Sequence, residues 1–135
     1  MSELPAVEPV GTIVTRTMKG SVNDAIAKLS GLLEARGLTL FAIVDHSGEA
    51  RRVGLELRDT KVVIFGSPEA GTPVMEVTPL IALDLPLKLL VWDDGGQTMA
   101  SYTAPSALAA RYGLSHDLAQ RLAGIGPTVD ALVAD

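Results

Sequence analysis

The chain contains no cysteine. That removes disulfides, a thiol nucleophile and cysteine-ligated metal, and it fits a reducing compartment. Histidine is nearly as scarce: only His46 and His116 occur, with no H-x-x-x-H spacing. A metal centre needs three or more suitable ligands, so neither metal nor cofactor is expected. Positive charge is also in deficit, with 11 Lys and Arg against 16 Asp and Glu and a net charge of −5. Nucleic acid is therefore not expected as a partner, because its affinity comes mainly from basic side chains on phosphates. Anionic membrane surfaces are disfavoured for the same reason. Aromatics make up only 4% of the residues, so the core must be aliphatic. Long apolar runs are missing too. The longest, Leu80 to Trp92, is interrupted by Asp84, Pro86 and Lys88 and falls short of the ~20 residues of a membrane-spanning helix. The start, M-S-E-L-P-A-V-E-P-V, has neither the basic opening nor the apolar centre of a signal peptide. These features lead to the expectation of a cytoplasmic protein.

What is present is a globular composition: 135 residues, 47% hydrophobic, with a mean hydropathy of +0.32. This length suits one domain with a full core. Residues 1–9, with two prolines and two glutamates, read as a flexible arm, and residues 10–135 as a single domain. Val10 to Arg16 is rich in β-branched residues and predicts the first strand. Ser21 and Asp24 resemble a capping box, and Val22, Ala25, Ile26, Leu29, Leu32 and Leu33 then follow helical spacing up to Gly37. Strands are predicted at Leu38–Val44 and Lys61–Phe65, with one or two helical turns between them at Glu49–Val53. From Ile81 to Trp92 every odd position is a large aliphatic. Period two predicts one long strand with Leu83, Leu87 and Leu89 in the core, at a sheet edge or bulged at Pro86. Asp93 to Gly96 turns this strand back on Thr98–Thr103. The end of the chain reads as helical, with Gly126-Pro127 separating a last short segment.

The stretch V-V-I-F-G-S-P-E-A-G-T-P-V-M (Val62–Met75) runs from a strand through a glycine turn into a short helix, a geometry that makes ligand niches. Gly66 and Gly71 followed by Thr72 look in passing like a phosphate-binding loop. The required lysine is missing, Glu69 adds a negative charge and Pro73 removes a donor, so nucleotide binding of that type is rejected. The weaker expectation is a small-anion or small-ligand site at Gly66, Ser67, Gly71 and Thr72, at a helix start. The plainer alternative is a tight turn packed on the sheet.

Asp45 and His46 form the second candidate. Either His46 acts as a general base or ligand with a carboxylate partner, or Asp45 caps the next helix and His46 only buttresses it. Asp84 either meets His46 across the sheet and fixes its tautomer, or pairs with Lys88, or caps exposed backbone beside Pro86. Ser47, Ser67 and Thr72 are hydroxyl candidates, but none lies in G-x-S-x-G or S-x-x-K. If the second and third strands ran the same way, the Asp45–His46 turn would lie beside Gly66 and Gly71.

Five motifs together resemble the domain of unknown function 302 family. They are I-V-D-H-S (Ile43–Ser47), G-L-E-L (Gly54–Leu57), V-I-F-G-S-P-E-A-G-T-P-V-M (Val63–Met75), D-L-P-L-K-L-L-V-W (Asp84–Trp92) and S-Y (Ser101-Tyr102). The likeness spans about residues 10 to 114 and thins after Gly113. It implies an α+β fold, an antiparallel-rich sheet with flanking helices similar to the TATA-binding-protein-like class, often seen as a dimer, and it implies no established activity. Three readings follow. The first is a non-catalytic, homodimeric domain that binds a small ligand. The second is an enzyme using His46 with Asp45 or Asp84 as an acid–base pair. The third is a structural or interaction domain. The homodimer expectation rests on the even face of the long strand, where Leu90 and Trp92 form an apolar strip.

Overall fold

The computed structural model describes residues 12–135. The arm expected over residues 1–9, and Val10, lie outside the described residues. The elements are β1 (Ile13–Met18), α1 (Val22–Ala35), β2 (Thr39–Asp45), α2 (His46–Arg52), β3 (Thr60–Gly66), α3 (Pro68–Val77), a 3-10 turn (Pro79–Leu83), β4 (Leu87–Asp94), β5 (Gln97–Thr103), α4 (Pro105–Tyr112), α5 (His116–Gln120) and α6 (Ile125–Val133). The strands form one sheet in the order β1-β5-β4-β3-β2, and every neighbouring pair is antiparallel. This is the α+β, antiparallel architecture expected from the sequence.

Local chemistry explains most boundaries. At the start of α1, the Ser21 hydroxyl accepts from the Asp24 N–H and the Asp24 carboxylate accepts from the Ser21 N–H, both at 3.0 Å. This complete capping box satisfies two of the donors that a helix start leaves open. Val22, Ala25, Leu29 and Leu33 point from α1 into the core. The β4–β5 hairpin closes on Gly95 and Gly96, whose φ angles of +60° and +97° are the positive pair that a two-residue hairpin turn needs.

One sheet face carries Val63, Phe65, Leu89, Val91, Ala100 and Tyr102 against α1 and the α6 residues Ile125, Val129 and Leu132. A second, smaller core gathers Val74 of α3, Ile81 of the 3-10 turn, Leu108 of α4 and Leu122, with Leu85 and Leu87 packed against it. Residues on the opposite sheet face, among them Val62, Ile64, Leu90, Trp92 and Met99, are half-buried and belong to neither core.

Three expectations are corrected here. The long strand over Ile81–Trp92 is a 3-10 turn followed by a strand that begins only at Leu87. Leu83, expected in the core, is 78% exposed. The odd-position pattern runs through Pro86, with the 3-10 turn opened by Pro79 before it and the strand after it, and so mixes two kinds of structure. β4 is also the central strand rather than an edge. Pro86 lies before its first residue and removes no ladder bond. Finally, Gly126-Pro127 does not break the last helix. Both sit in the first turn of α6, where proline is tolerated because the N–H has no helical partner.

Candidate functional site

At the start of α2, Asp45 is the N-cap. Its carboxylate accepts from the Gly48 N–H at 2.9 Å and from the Ser47 hydroxyl at 2.6 Å. The Ser47 Oγ in turn accepts from the Thr60 N–H at 3.2 Å, which joins the helix start to the first residue of β3. Ser47 is only 1% exposed, so the hydroxyl considered as a nucleophile is sealed into the structure. The Ser47 hydrogen bond, followed by the Gly48 N–H, lowers the Asp45 pKa below the ordinary carboxylate value. Gly48 is required by this cap, because a Cβ there would lie 2.6 Å from the Asp45 Oδ2. His46 is exposed, and neither Asp45 nor Asp84 is hydrogen-bonded or ion-paired to it. Asp45 is thus a cap, as the plainer alternative has it, but the hydrogen-bonded buttress expected of His46 is not seen, because its side chain makes no hydrogen bond among the described residues.

The other end of β3 is different. β2 and β3 pair antiparallel, with Asp45 opposite Lys61 and Thr39 opposite Gly66. At a rise of ~3.3 Å per residue, the two ends are roughly 20 Å apart. Asp45 and His46 therefore do not share a site with Gly66, Ser67, Gly71 and Thr72. The meeting expected from parallel strands is overturned by the register.

Around Gly66 lies a cavity of about 500 Å³. Antiparallel pairing brings the beginning of β2, the end of β3 and the beginning of β4 to one place. Leu38 and Phe41, Phe65 and Gly66, and Leu85 to Leu87 line it accordingly. From α3 come Ser67 at its N-cap, Gly71, Thr72 and Met75. The far wall is Gln120, Arg121, Leu122, Gly124 and Ile125, from the α5–α6 segment. Four expected site residues (Gly66, Ser67, Gly71, Thr72) thus meet here, Asp84 flanks the cavity beside Leu85, and the far wall was not anticipated. A signal for it existed in the apolar spacing of Leu118, Leu122 and Ile125, but no local pattern says which turn those residues face.

α3 starts at Pro68, earlier than expected. Gly71 is thus inside the helix, without the positive φ considered for it. A Cβ at Gly71 would make ordinary contacts, 3.7 Å from the Met75 Cε and 4.0 Å from the Leu85 Cδ1. The helix start is also poor in free donors. Pro68 has no N–H, the Ala70 N–H donates to the Ser67 Oγ at 3.1 Å and the Gly71 N–H donates to the Ser67 carbonyl at 2.8 Å. Glu69 is exposed and is not part of the lining.

Asp84 accepts from the Tyr112 hydroxyl at 2.5 Å and from Arg111 at 3.0 Å. The Tyr112 bond is the main cause of its lowered pKa; partial burial works against this and Arg111 adds to it. Asp84 therefore ties the 3-10 turn to α4 and does not pair with Lys88. Among the described residues, no three His, Cys, Asp or Glu side chains gather where a metal ion could sit.

The family profile described as domain of unknown function DUF302 matches residues 14–131. The chain belongs to the DUF302 family. The DUF302 match runs beyond Gly113, where the sequence motifs thin, and takes in α5 and most of α6, the elements that close the cavity. The crystal structure of an uncharacterized conserved DUF302 protein from Bacillus stearothermophilus is similar in fold. Its TM-score is 0.78 at 20% identity, covering 90% of this chain and 95% of that one. Among curated relatives, fluoride-specific ion channel FluC 1 of Brucella suis is 37% identical over 110 residues, 79% of this DUF302 chain and 43% of the relative. FluC 1 of Brucella abortus and FluC 2 of Brucella melitensis match at the same identity, over 41% of their lengths. The chain thus spans less than half the length of these relatives. Among the described residues, no helix is long and apolar enough to cross a membrane.

Proposed function

We propose that this is a non-catalytic, cytoplasmic domain that binds a small apolar-bodied ligand and works as a homodimer. The observation that carries the reading is the cavity at the Gly66 end of the sheet: about 500 Å³, walled mainly by aliphatic and aromatic side chains. Ligand sites have this size and apolar character, with few polar groups. An acid–base mechanism has no support from the geometry. His46 stands at the far end of β3, and both candidate carboxylates are engaged by other groups. A thermal-shift screen of metabolites tests the reading, because a ligand that binds only the folded state raises Tm. Absence of any shift from apolar or amphiphilic compounds would count against it.

The dimer would form on the sheet face opposite α1 and α6. Leu90, Trp92, Val62, Ile64 and Met99 make an apolar field there, with the Trp92 indole N–H donating to the Ser101 Oγ at 3.1 Å. Apolar surface of this extent commonly marks an interface. Sedimentation equilibrium should show a dimer at micromolar concentration, and Leu90→Glu should shift it to monomer. A monomer in the unmodified protein ends this part of the reading.

The partial coverage of the relatives named FluC favours an additional role. We infer that in those proteins the DUF302 segment is an accessory module beside the channel portion, and that this chain shares that module's binding property. Deleting the matched segment from the Brucella suis relative should leave fluoride conduction measurable but alter its regulation. Complete loss of conduction would argue for an integral role instead.

A further inference from the structure

The cavity is not electrically neutral, and its charge points to the kind of ligand it takes. The chain as a whole is acidic, with 16 Asp and Glu, yet among the described residues no acidic side chain lines the cavity, and Arg121 is the one charged residue in the lining. Three carboxylates adjoin lining residues in sequence and none is in the lining; Glu76, beside Met75, is exposed. Glu69, between the lining residues Pro68 and Ala70, faces solvent. Asp84, next to the lining residue Leu85, is held by Tyr112 and Arg111. Among the described residues the guanidinia of Arg121 and of the exposed Arg36 and Arg51 make no ion pair and no hydrogen bond, whereas Arg16, Arg52, Arg58 and Arg111 each have an acidic partner; of those three, Arg121 is the one that lines the cavity. An exposed cation at the rim of an apolar hollow is complementary to a molecule with an apolar body and one anionic head.

We infer that the cavity binds an anionic amphiphile, its alkyl body between Phe41, Phe65, Met75 and Leu87 and its carboxylate or phosphate head group on Arg121. This deepens the small-ligand reading and rests on it. The guanidinium suits carboxylate and phosphate alike through paired N–H donors. The hydroxyl-bearing residues of the opposite wall offer less. The Ser67 Oγ accepts from the Ala70 N–H and keeps only its neutral O–H to give, Thr72 is exposed at the rim, and a neutral hydroxyl bonds an anion less strongly than a guanidinium does. Discrimination therefore falls mainly to Arg121.

The test is calorimetric titration of the full chain with four probes of one chain length, each below its aggregation concentration. These are decanoate, decyl phosphate, decanol and decyltrimethylammonium. Decanoate or decyl phosphate should bind about tenfold more tightly than decanol, as expected for a charge-assisted contact at a solvent-screened site, and the cationic probe should bind least. The better of the two anions identifies the head group. Arg121→Ala should erase the advantage over decanol, Arg121→Lys should keep part of it, and Arg121→Glu should reverse the order of anion and cation. Higher salt should narrow the gap in the unmodified protein. If decanol binds as tightly as both anions and Arg121→Ala changes nothing, the anionic inference is overturned while the apolar-ligand reading stands. If none of the four binds, both fall.

Discussion

The two ends of β3 solve the same packing problem in opposite ways. At the Thr60 end, Asp45, Ser47, Gly48 and the Thr60 N–H form one chain of hydrogen bonds that joins β2, α2 and β3. At the Gly66 end, the strands stop against α3 and the α5–α6 segment, and the space between them stays hollow and apolar. Neither the Asp-His step at the first end nor the glycines at the second form a specific motif, and the geometry separates the two ends. Polar residues that satisfy one another are spent on stability, whereas an unfilled apolar space is open to a ligand.

Substitutions at each end sharpen that contrast. The largest effect belongs to Phe65, which is 1% exposed, sits in the main core and also lines the cavity. Phe65→Ala should cost about 3–5 kcal/mol in denaturant unfolding. A loss of under 1 kcal/mol, the lower part of the range for ordinary substitutions, would mean that the hollow end collapses to fill the gap and is no preformed site. At the closed end, Ser47→Ala strands the Thr60 N–H and removes a donor from Asp45. The expected cost is about 1–3 kcal/mol, that of a buried polar group left without its partner. A neutral result would show that the polar chain there is dispensable.

Acid probes both ends through one carboxylate each. Asp45 and Asp84 have pKa values lowered from 3.8 in the folded chain. Their contribution to stability is therefore complete above that value and is lost as pH falls through it toward the folded pKa. Asp84→Asn should be less stable at neutral pH and should show a shallower fall in Tm on acidification below the carboxylate range. An unchanged acid limb would remove Asp84 from the set of groups that bind α4 to the 3-10 turn. The smallest effect is a gain. Gly71 is helical and a Cβ there meets no obstacle, so Gly71→Ala should stabilise by about 0.5–1 kcal/mol. Destabilisation would reveal that the bare backbone is needed at the cavity wall.

How far the sequence could be read follows the same division. α1 was legible because its capping box and its apolar spacing are both local and agree. The β4–β5 hairpin was legible because Gly95-Gly96 allows little else. Ile81–Leu85 misled because alternation over a proline-bounded run does not distinguish a strand from a 3-10 turn, and Leu83 consequently faces solvent. Gly66, Ser67, Gly71 and Thr72 were found from a local turn pattern. Leu38, Phe41, Arg121 and Ile125 were not, because only the register and the return of the α5–α6 segment bring them within reach. Direction was the decisive unknown: parallel or antiparallel pairing of β2 with β3 moves His46 from one end of the sheet to the other, and side-chain alternation is the same in both.

The position of β1 in the sheet bears on how the protein is made. β1 leaves the ribosome well before β5, its one strand neighbour among the described residues, with Ile13 opposite Thr103. At a translation rate of about 5–20 residues per second, the strand waits roughly 5–20 s for its partner. Closing so long a loop is entropically slow. The β3–β4–β5 meander can assemble from sequence neighbours during that interval, and the sheet is then completed by capture of a strand made about eighty residues earlier.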